Sequence, residues 1–180
     1  MLVSPEHAAF RDSVRSFVAR EIAPHVDAWD EAETFPRELY RRAAALGLLG
    51  LGYPQEYGGT PVDTWYRLIA TEEIARAGSG GLMASLFSHN IGLPPVLAHG
   101  SEALKQRIAP AVLRGEKIAA LAITEPSGGS DVARLRTTAR QDGGQWVIDG
   151  EKVFITSGLR ADWITVAART GSKGAAGISL

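Results

Sequence analysis

The sequence predicts an α+β chain: an all-α helical domain over residues 1–116, followed by an antiparallel β domain over residues 117–180. Two observations carry the division. Before Lys117 the apolar residues recur at the three-to-four spacing of a helix with one buried face. After Lys117 they fall into short runs of strand length separated by Asp-Gly turns. Composition agrees, with 45% of the residues hydrophobic and 22% charged, a mixture that can bury a core and argues against disorder.

Ser4-Pro5 reads as a helix cap followed by proline at the first helical position. Phe10, Val14, Phe17 and Val18 then lie on one stripe that continues to Ile22. Pro24 interrupts it, and Val26 with Trp29 suggests a further short helix. A helix from about Pro36 to Leu46 ends at Gly47. Leu51-Gly52-Tyr53-Pro54-Gln55-Glu56-Tyr57-Gly58-Gly59 is loop material. Thr60-Pro61 is expected to restart a helix, with Asp63 satisfying free amides of its first turn and an end near Gly78. A stretch from about Leu82 meets Pro94-Pro95, which must kink or stop it. Ser101 caps one more helix, carrying Leu104 and Ile108 on one face.

Ile118 to Thr124 is a continuous apolar run of strand length. Leu135 to Gln141 is rich in extended formers and ends at Asp142-Gly143-Gly144. Gln145 to Ile148 returns, Asp149-Gly150 signals a second hairpin, and Lys152 to Thr156 and Trp163 to Ala168 complete the expected strands. Residues 171–177 are polar and glycine-rich, and Ile178-Ser179-Leu180 resembles the start of another strand, which reads as a chain cut short.

Several function classes are disfavoured. Lys plus Arg total 19 against 20 Asp plus Glu, so nothing draws the chain to nucleic acid. With no cysteine there is no disulfide, thiolate metal site or cysteine nucleophile. His7, His25, His89 and His99 form no pair at helical ligand spacing, so no metal site is expected. No secretory signal and no apolar run long enough to span a membrane is visible, so the expected place is the cytoplasm, the mitochondrial matrix being less favoured without a transit peptide.

The segment richest in chemistry is Ala122-Ile123-Thr124-Glu125-Pro126-Ser127-Gly128-Gly129-Ser130-Asp131. An apolar strand ends at Thr124, and two glycines flanked by hydroxyls follow. Such glycines let backbone amides approach phosphate oxygens, while Thr124, Ser127 and Ser130 add neutral donors. Most stretches of this composition are plain turns, and this one matches neither the Gly-Lys-Ser phosphate loop nor the dinucleotide fingerprint. In Phe154-Ile155-Thr156-Ser157-Gly158 an aromatic and a threonine alternate, which on a strand puts both on one face, suited to stacking on a conjugated ring. A core phenylalanine beside a strand threonine is the plainer reading.

Together, Leu121 to Asp131 and Lys152-Val153-Phe154-Ile155-Thr156 resemble the acyl-CoA dehydrogenase family, whose signature runs threonine, glutamate, proline, two variable positions, glycine, serine, aspartate. Residues 51–59, Glu72-Glu73-Ile74-Ala75-Arg76 and the Gly100 to Gly115 helix also fit it, so the resemblance covers essentially the whole chain. It implies FAD held without a covalent bond between a helical and a β domain, in a chain that stops before the family's C-terminal four-helix domain. By position, Leu121, Ile123 and Thr124 would line the flavin's pyrimidine side, Gly129 and Ser130 would approach its pyrophosphate, and Ser130 would also meet the acyl-CoA. Phe154 would pack on the flavin face, with Ile155 beside it, and Thr156 would hydrogen-bond near the reactive nitrogen. The implied reaction is oxidation of an acyl-CoA to the trans-2-enoyl-CoA, with an electron-transferring flavoprotein as acceptor and a homotetramer or dimer as the assembly.

The family's base is a glutamate of the C-terminal half, so no catalytic residue is assigned here, and Glu125 is given a structural role. Arg134 stands where many members have a small residue, and Leu121 and Phe154 replace the tyrosine and tryptophan of some medium-chain-like members. An acyl-CoA oxidase or flavin monooxygenase of the same fold, or a non-catalytic binding module, remain the alternatives at this level.

Overall fold

The structure, a computed structural model, describes residues 4–180. Its helices are α1 (Pro5–Glu21), α2 (Val26–Glu31), α3 (Glu38–Ala45), α4 (Thr64–Ala75), α5 (Gly80–Leu86), α6 (His89–Gly92), α7 (Pro94–His99) and α8 (Glu102–Leu113). Its strands are β1 (Ala119–Ala122), β2 (Thr138–Asp142), β3 (Gln145–Asp149), β4 (Trp163–Val166), β5 (Ala168–Arg169) and β6 (Ile178–Ser179). A helical region followed by β-sheet is the order the sequence predicts. The chain forms two compact units: residues up to Phe87 with Ser101–Lys117, and Ser88–Gly100 with Ile118–Leu180.

In the helical unit, the Ser4 side chain accepts the His7 amide while the His7 ring accepts the Ser4 amide, closing the cap of α1. Val14, Phe17, Val18 and Ile22 are buried along the predicted stripe. Helix α1 packs on α4, with the Tyr66 ring 4.5 Å from that of His7 and 5.0 Å from that of Phe10. A buried carboxylate binds the two helices: Glu73 of α4 accepts from Arg11 at 2.7 Å and from Arg15 at 3.0 Å. The Arg15 hydrogen bond, joined by that of Arg11, outweighs burial and holds the Glu73 carboxyl below its ordinary range.

Two helix expectations need correction. Helix α4 starts at Thr64 because the Asp63 carboxylate accepts the Trp65 amide at 2.9 Å, whereas Thr60 is committed to a bridge with Leu51. The stretch from Leu82 is three short helices, α5 to α7. The chain breaks at Ser88 and Leu93, and Pro94 opens α7 at the position where a missing amide costs nothing.

In the second unit, β1 pairs with β4, Ala120 opposite Ile164, and a separate sheet runs β3-β2-β5-β6. The β2–β3 hairpin is antiparallel as expected, turning at Gly143-Gly144 with φ of +54° and +84°, where glycine carries no steric cost. The β5–β6 pairing is also antiparallel, but β1–β4 and β2–β5 are parallel, so the four-stranded sheet is mixed and the two-stranded sheet is parallel. The stretch Trp163 to Ala168 is two strands that serve different sheets. Helix α6 lies against β1 so closely that a Cβ on Gly92 would come within 2.7 Å of the Ala120 carbonyl oxygen. Ser88 donates to the Ala119 carbonyl at 2.9 Å, and Thr165 donates to the Gly92 carbonyl at 2.7 Å. Among the described residues, no helix is long and apolar enough to cross a membrane, and no His, Cys, Asp and Glu cluster could hold a metal ion.

Candidate functional site

The end of β1 builds the site. Leu121 is half-buried, opposite Thr165 of β4, and Ile123 and Thr124 follow as the chain leaves the sheet. Glu125 and Gly128 then exchange backbone hydrogen bonds of 3.0 Å in both directions, closing a tight loop over Pro126 and Ser127. Beside it is a cleft of about 80 Å³ lined by Ile123, Ser127, Gly128, Gly129, Asp131 and Arg134, among others.

Glu125 is the loop's anchor. Its side chain is only 5% exposed and accepts from the amides of Arg136 (2.7 Å) and Thr137 (2.8 Å) and from the Lys152 ammonium (3.0 Å). Burial opposes the charge, but the hydrogen bonds from Thr137, Arg136 and Lys152 overcome it and hold the carboxyl down to about 2. A carboxylate so acidic cannot collect protons near neutral pH, which agrees with a structural role.

A carboxyl depressed from 4.5 stabilises the fold fully above pH 4.5, and that contribution is lost as pH falls through about 2. In Glu125→Gln the group no longer titrates, so stability should depend less steeply on pH across that window. Chemical denaturation at a series of acidic pH values checks this, and parallel curves for the two proteins would refute it.

The segment after Gly150 departs from expectation. Lys152 to Thr156 is not a strand, and Asp149-Gly150 does not turn a hairpin. Lys152 donates to the Ile123 carbonyl at 2.9 Å as well as to Glu125, and the Val153 amide donates to the Thr124 carbonyl at 2.9 Å. These bonds draw the segment beneath the end of β1. Phe154 has φ of +56°, so the alternation that would put it on the same face as Thr156 does not apply. Gly158 and Arg160 close turns back to Ile155 and Ser157.

The predicted residues are thus brought together in part. The two segments singled out in the sequence are tied by Lys152 and Val153. Ile123 and Gly129 line the small cleft, whereas Phe154 and Ile155 line a separate apolar groove of about 440 Å³ with Ala122, Leu159, Ile164 and Val166. Phe154 is 93% exposed, so it belongs to no core within this chain, against the plainer reading of it as a core residue. Leu121, Thr124 and Thr156, all half-buried, and the exposed Ser130 line neither hollow.

The donor set suits a flavin nucleotide. Among the described residues, the amides of Gly129 and Ser130 and the hydroxyls of Thr124, Ser130 and Thr156 donate to no protein acceptor. A Cβ at Gly129 would stand 3.1 Å from the Thr124 side chain, so glycine keeps this cradle open. Sequence reasoning missed Lys152 as the strut of the loop. A lone cation at the head of the apolar run Val153 to Ile155 was the available signal. It also missed Arg169, whose guanidinium donates to the carbonyls of Ala133 and Leu135 at 2.9 Å.

Comparison with known proteins identifies the family. The sequence profile described as "Acyl-CoA dehydrogenase, N-terminal domain" matches residues 4–116, and that described as "Acyl-CoA dehydrogenase, middle domain" matches residues 120–180. The long-chain specific acyl-CoA dehydrogenase of Sus scrofa mitochondria is 39% identical over 99% of this chain and 42% of its own length. Among solved structures, a Mycobacterium smegmatis chain whose name assigns it to the acyl-CoA dehydrogenases superposes with a TM-score of 0.95. It is 50% identical, over 99% of this chain and 47% of its own. An acyl-CoA dehydrogenase from Bacillus anthracis, complexed with FAD, superposes with a TM-score of 0.86 at 35% identity, over 93% of this chain and 30% of its own. The chain spans about half the length of the curated relatives it matches. With both profiles in order along nearly all of its residues, the chain belongs to the acyl-CoA dehydrogenase family.

Proposed function

We propose that this chain supplies the flavin-binding face of an FAD-dependent enzyme that oxidises an acyl-CoA thioester to the trans-2-enoyl-CoA. The observation that carries the reading is the group of uncommitted donors around Gly129, held in place by the Glu125–Lys152 pair. Residues 1–116 are its helical domain, and residues 117–180 are part of its middle β domain.

When bound, FAD supplies the hydride acceptor. The chain's own residues bind and orient. Leu121, Ile123 and Thr124 border the ring's pyrimidine side, with the Thr124 hydroxyl as a donor. The amides of Gly129 and Ser130 face the pyrophosphate, where hydroxyl and amide donors offset charge without adding any. The Ser130 hydroxyl also meets the acyl-CoA. Phe154 and Ile155 cover an apolar surface of the flavin and exclude water from it, and Thr156 donates near the reactive nitrogen. The base that removes the proton beside the thioester carbonyl is a carboxylate outside these 180 residues. An electron-transferring flavoprotein takes the electrons, the assembly is a homotetramer or dimer, and the place is the cytoplasm.

Alanine at Thr124 or Ser130 in the full-length protein is expected to weaken FAD retention about fivefold each, the loss of one neutral hydrogen bond worth roughly 1 kcal/mol. Equilibrium dialysis of the reconstituted apoprotein against FAD measures it. Unaltered affinity and flavin spectrum in both variants would remove the basis for this pocket.

A further inference from the structure

The cleft beside the glycine pair carries a cation that the fold does not use. Arg134 is exposed, and its guanidinium has no hydrogen bond or ion pair among the described residues. By contrast, Arg11, Arg15, Arg42, Arg114 and Arg140 each bind a carboxylate.

Its backbone is nonetheless firmly held. Arg169 donates to the carbonyls on either side of it, Ala133 at 2.9 Å and Leu135 at 2.9 and 3.1 Å. The Arg134 amide donates to the Asp131 carbonyl at 3.1 Å, and the next amide but one, that of Arg136, is fixed by Glu125 at 2.7 Å. The backbone that carries the guanidinium is therefore fixed at the cleft that Gly128 and Gly129 also line, so only side-chain freedom is lost when it grips a ligand.

The surroundings select the ligand's charge. The amides of Gly129 and Ser130 are donors without protein acceptors among the described residues, and the Glu125 charge is offset by Lys152 at 3.0 Å. Asp131 opposes them, but it is exposed, where water weakens its field. A planar guanidinium beside free amides matches the oxygens of a phosphate, which it can contact through two parallel hydrogen bonds.

We infer that Arg134 binds a phosphate of an ADP-containing ligand at the mouth of this cleft and so helps to set which nucleotide ligand is held. The inference rests on the flavoenzyme reading above. Two sources share the chemistry: the pyrophosphate of FAD, and the phosphates of the coenzyme A thioester.

The test uses the holoenzyme from the natural gene and its Arg134→Met and Arg134→Lys variants. One arm measures FAD affinity of the reconstituted apoprotein. The other compares an acyl-CoA with the matching acyl-pantetheine thioester, which lacks the phosphates. Arg134→Met should lose about tenfold in one arm, the size of one charge-assisted hydrogen bond. The salt dependence of that binding should flatten, and lysine should recover part of the loss. A loss in FAD affinity assigns the contact to the flavin, and a loss for acyl-CoA but not acyl-pantetheine assigns it to the substrate. Unchanged binding in both arms overturns the inference, and so does an equal loss for both thioesters, which marks a general structural effect. A wild-type protein that holds no FAD would sink the flavoenzyme reading as well, whereas a normal flavoprotein indifferent to Arg134→Met sinks this inference alone.

Discussion

Lys152→Met is expected to destabilise the protein by about 3 kcal/mol or more, the usual cost of leaving one half of a buried ion pair behind. The Lys152 and Glu125 side chains are 11% and 5% exposed, so little water reaches the carboxylate once the ammonium has gone. Methionine retains most of the apolar stem, which separates loss of charge from loss of packing. The Glu125 carboxyl should then rise from its depressed value, since a stabilising partner is lost while burial and the two backbone amides remain. The bonds to the Ile123 carbonyl and to Glu125 are lost together, so the segment carrying Phe154 to Thr156 should loosen and FAD affinity should fall with stability. Urea denaturation of Lys152→Met, Glu125→Gln and the double variant checks the claim. The double variant should be less destabilised than the sum of the singles, because each single strands the other's partner. Additive losses would show that the pair is not coupled.

Gly92→Ala should cost about 2 kcal/mol through overpacking. The added Cβ would lie 2.7 Å from the Ala120 carbonyl oxygen, 2.8 Å from its carbon and 2.9 Å from the Ala120 nitrogen. All three are backbone atoms of β1, with Ala119 and Ala120 buried, so no side chain can swing aside. Helix α6 must move off the strand, stretching the Ser88 and Thr165 hydrogen bonds that join them. Gly80→Ala is the control: a Cβ there meets nothing within 4 Å, and the residue opens α5 without a positive φ. That variant should be neutral or slightly stabilised, by up to about 1 kcal/mol. Thermal melts of the two proteins decide the matter, and equal melting temperatures would mean that α6 is not seated on β1 as described.

Much of the helical unit was legible because its signals are local. Ser4, Asp63 and Ser101 cap the helices they precede, and Gly47 ends α3 with φ of +83°. Each needs only partners two or three positions away. The site was legible as a pair of segments, through composition and resemblance, but not in the way those segments meet. Asp142-Gly143-Gly144 and Asp149-Gly150 offer similar local turn signals, yet only the first makes a hairpin. The difference lies in Lys152 and Val153, whose acceptors at residues 123, 124 and 125 are almost thirty positions earlier.

The sequence by itself determined the order of helices before strands, the caps, the glycine-and-hydroxyl loop after Thr124 and the family. These depend on neighbours along the chain, where backbone sterics and short-range hydrogen bonds act. Only the tertiary structure decided that β1 pairs with β4 in parallel, that Gly92 lies on the backbone of Ala120, and that Lys152 leaves any strand to neutralise Glu125. Those outcomes follow from burial: a buried carboxylate and tightly packed backbones need partners distant in sequence, and nothing local names them.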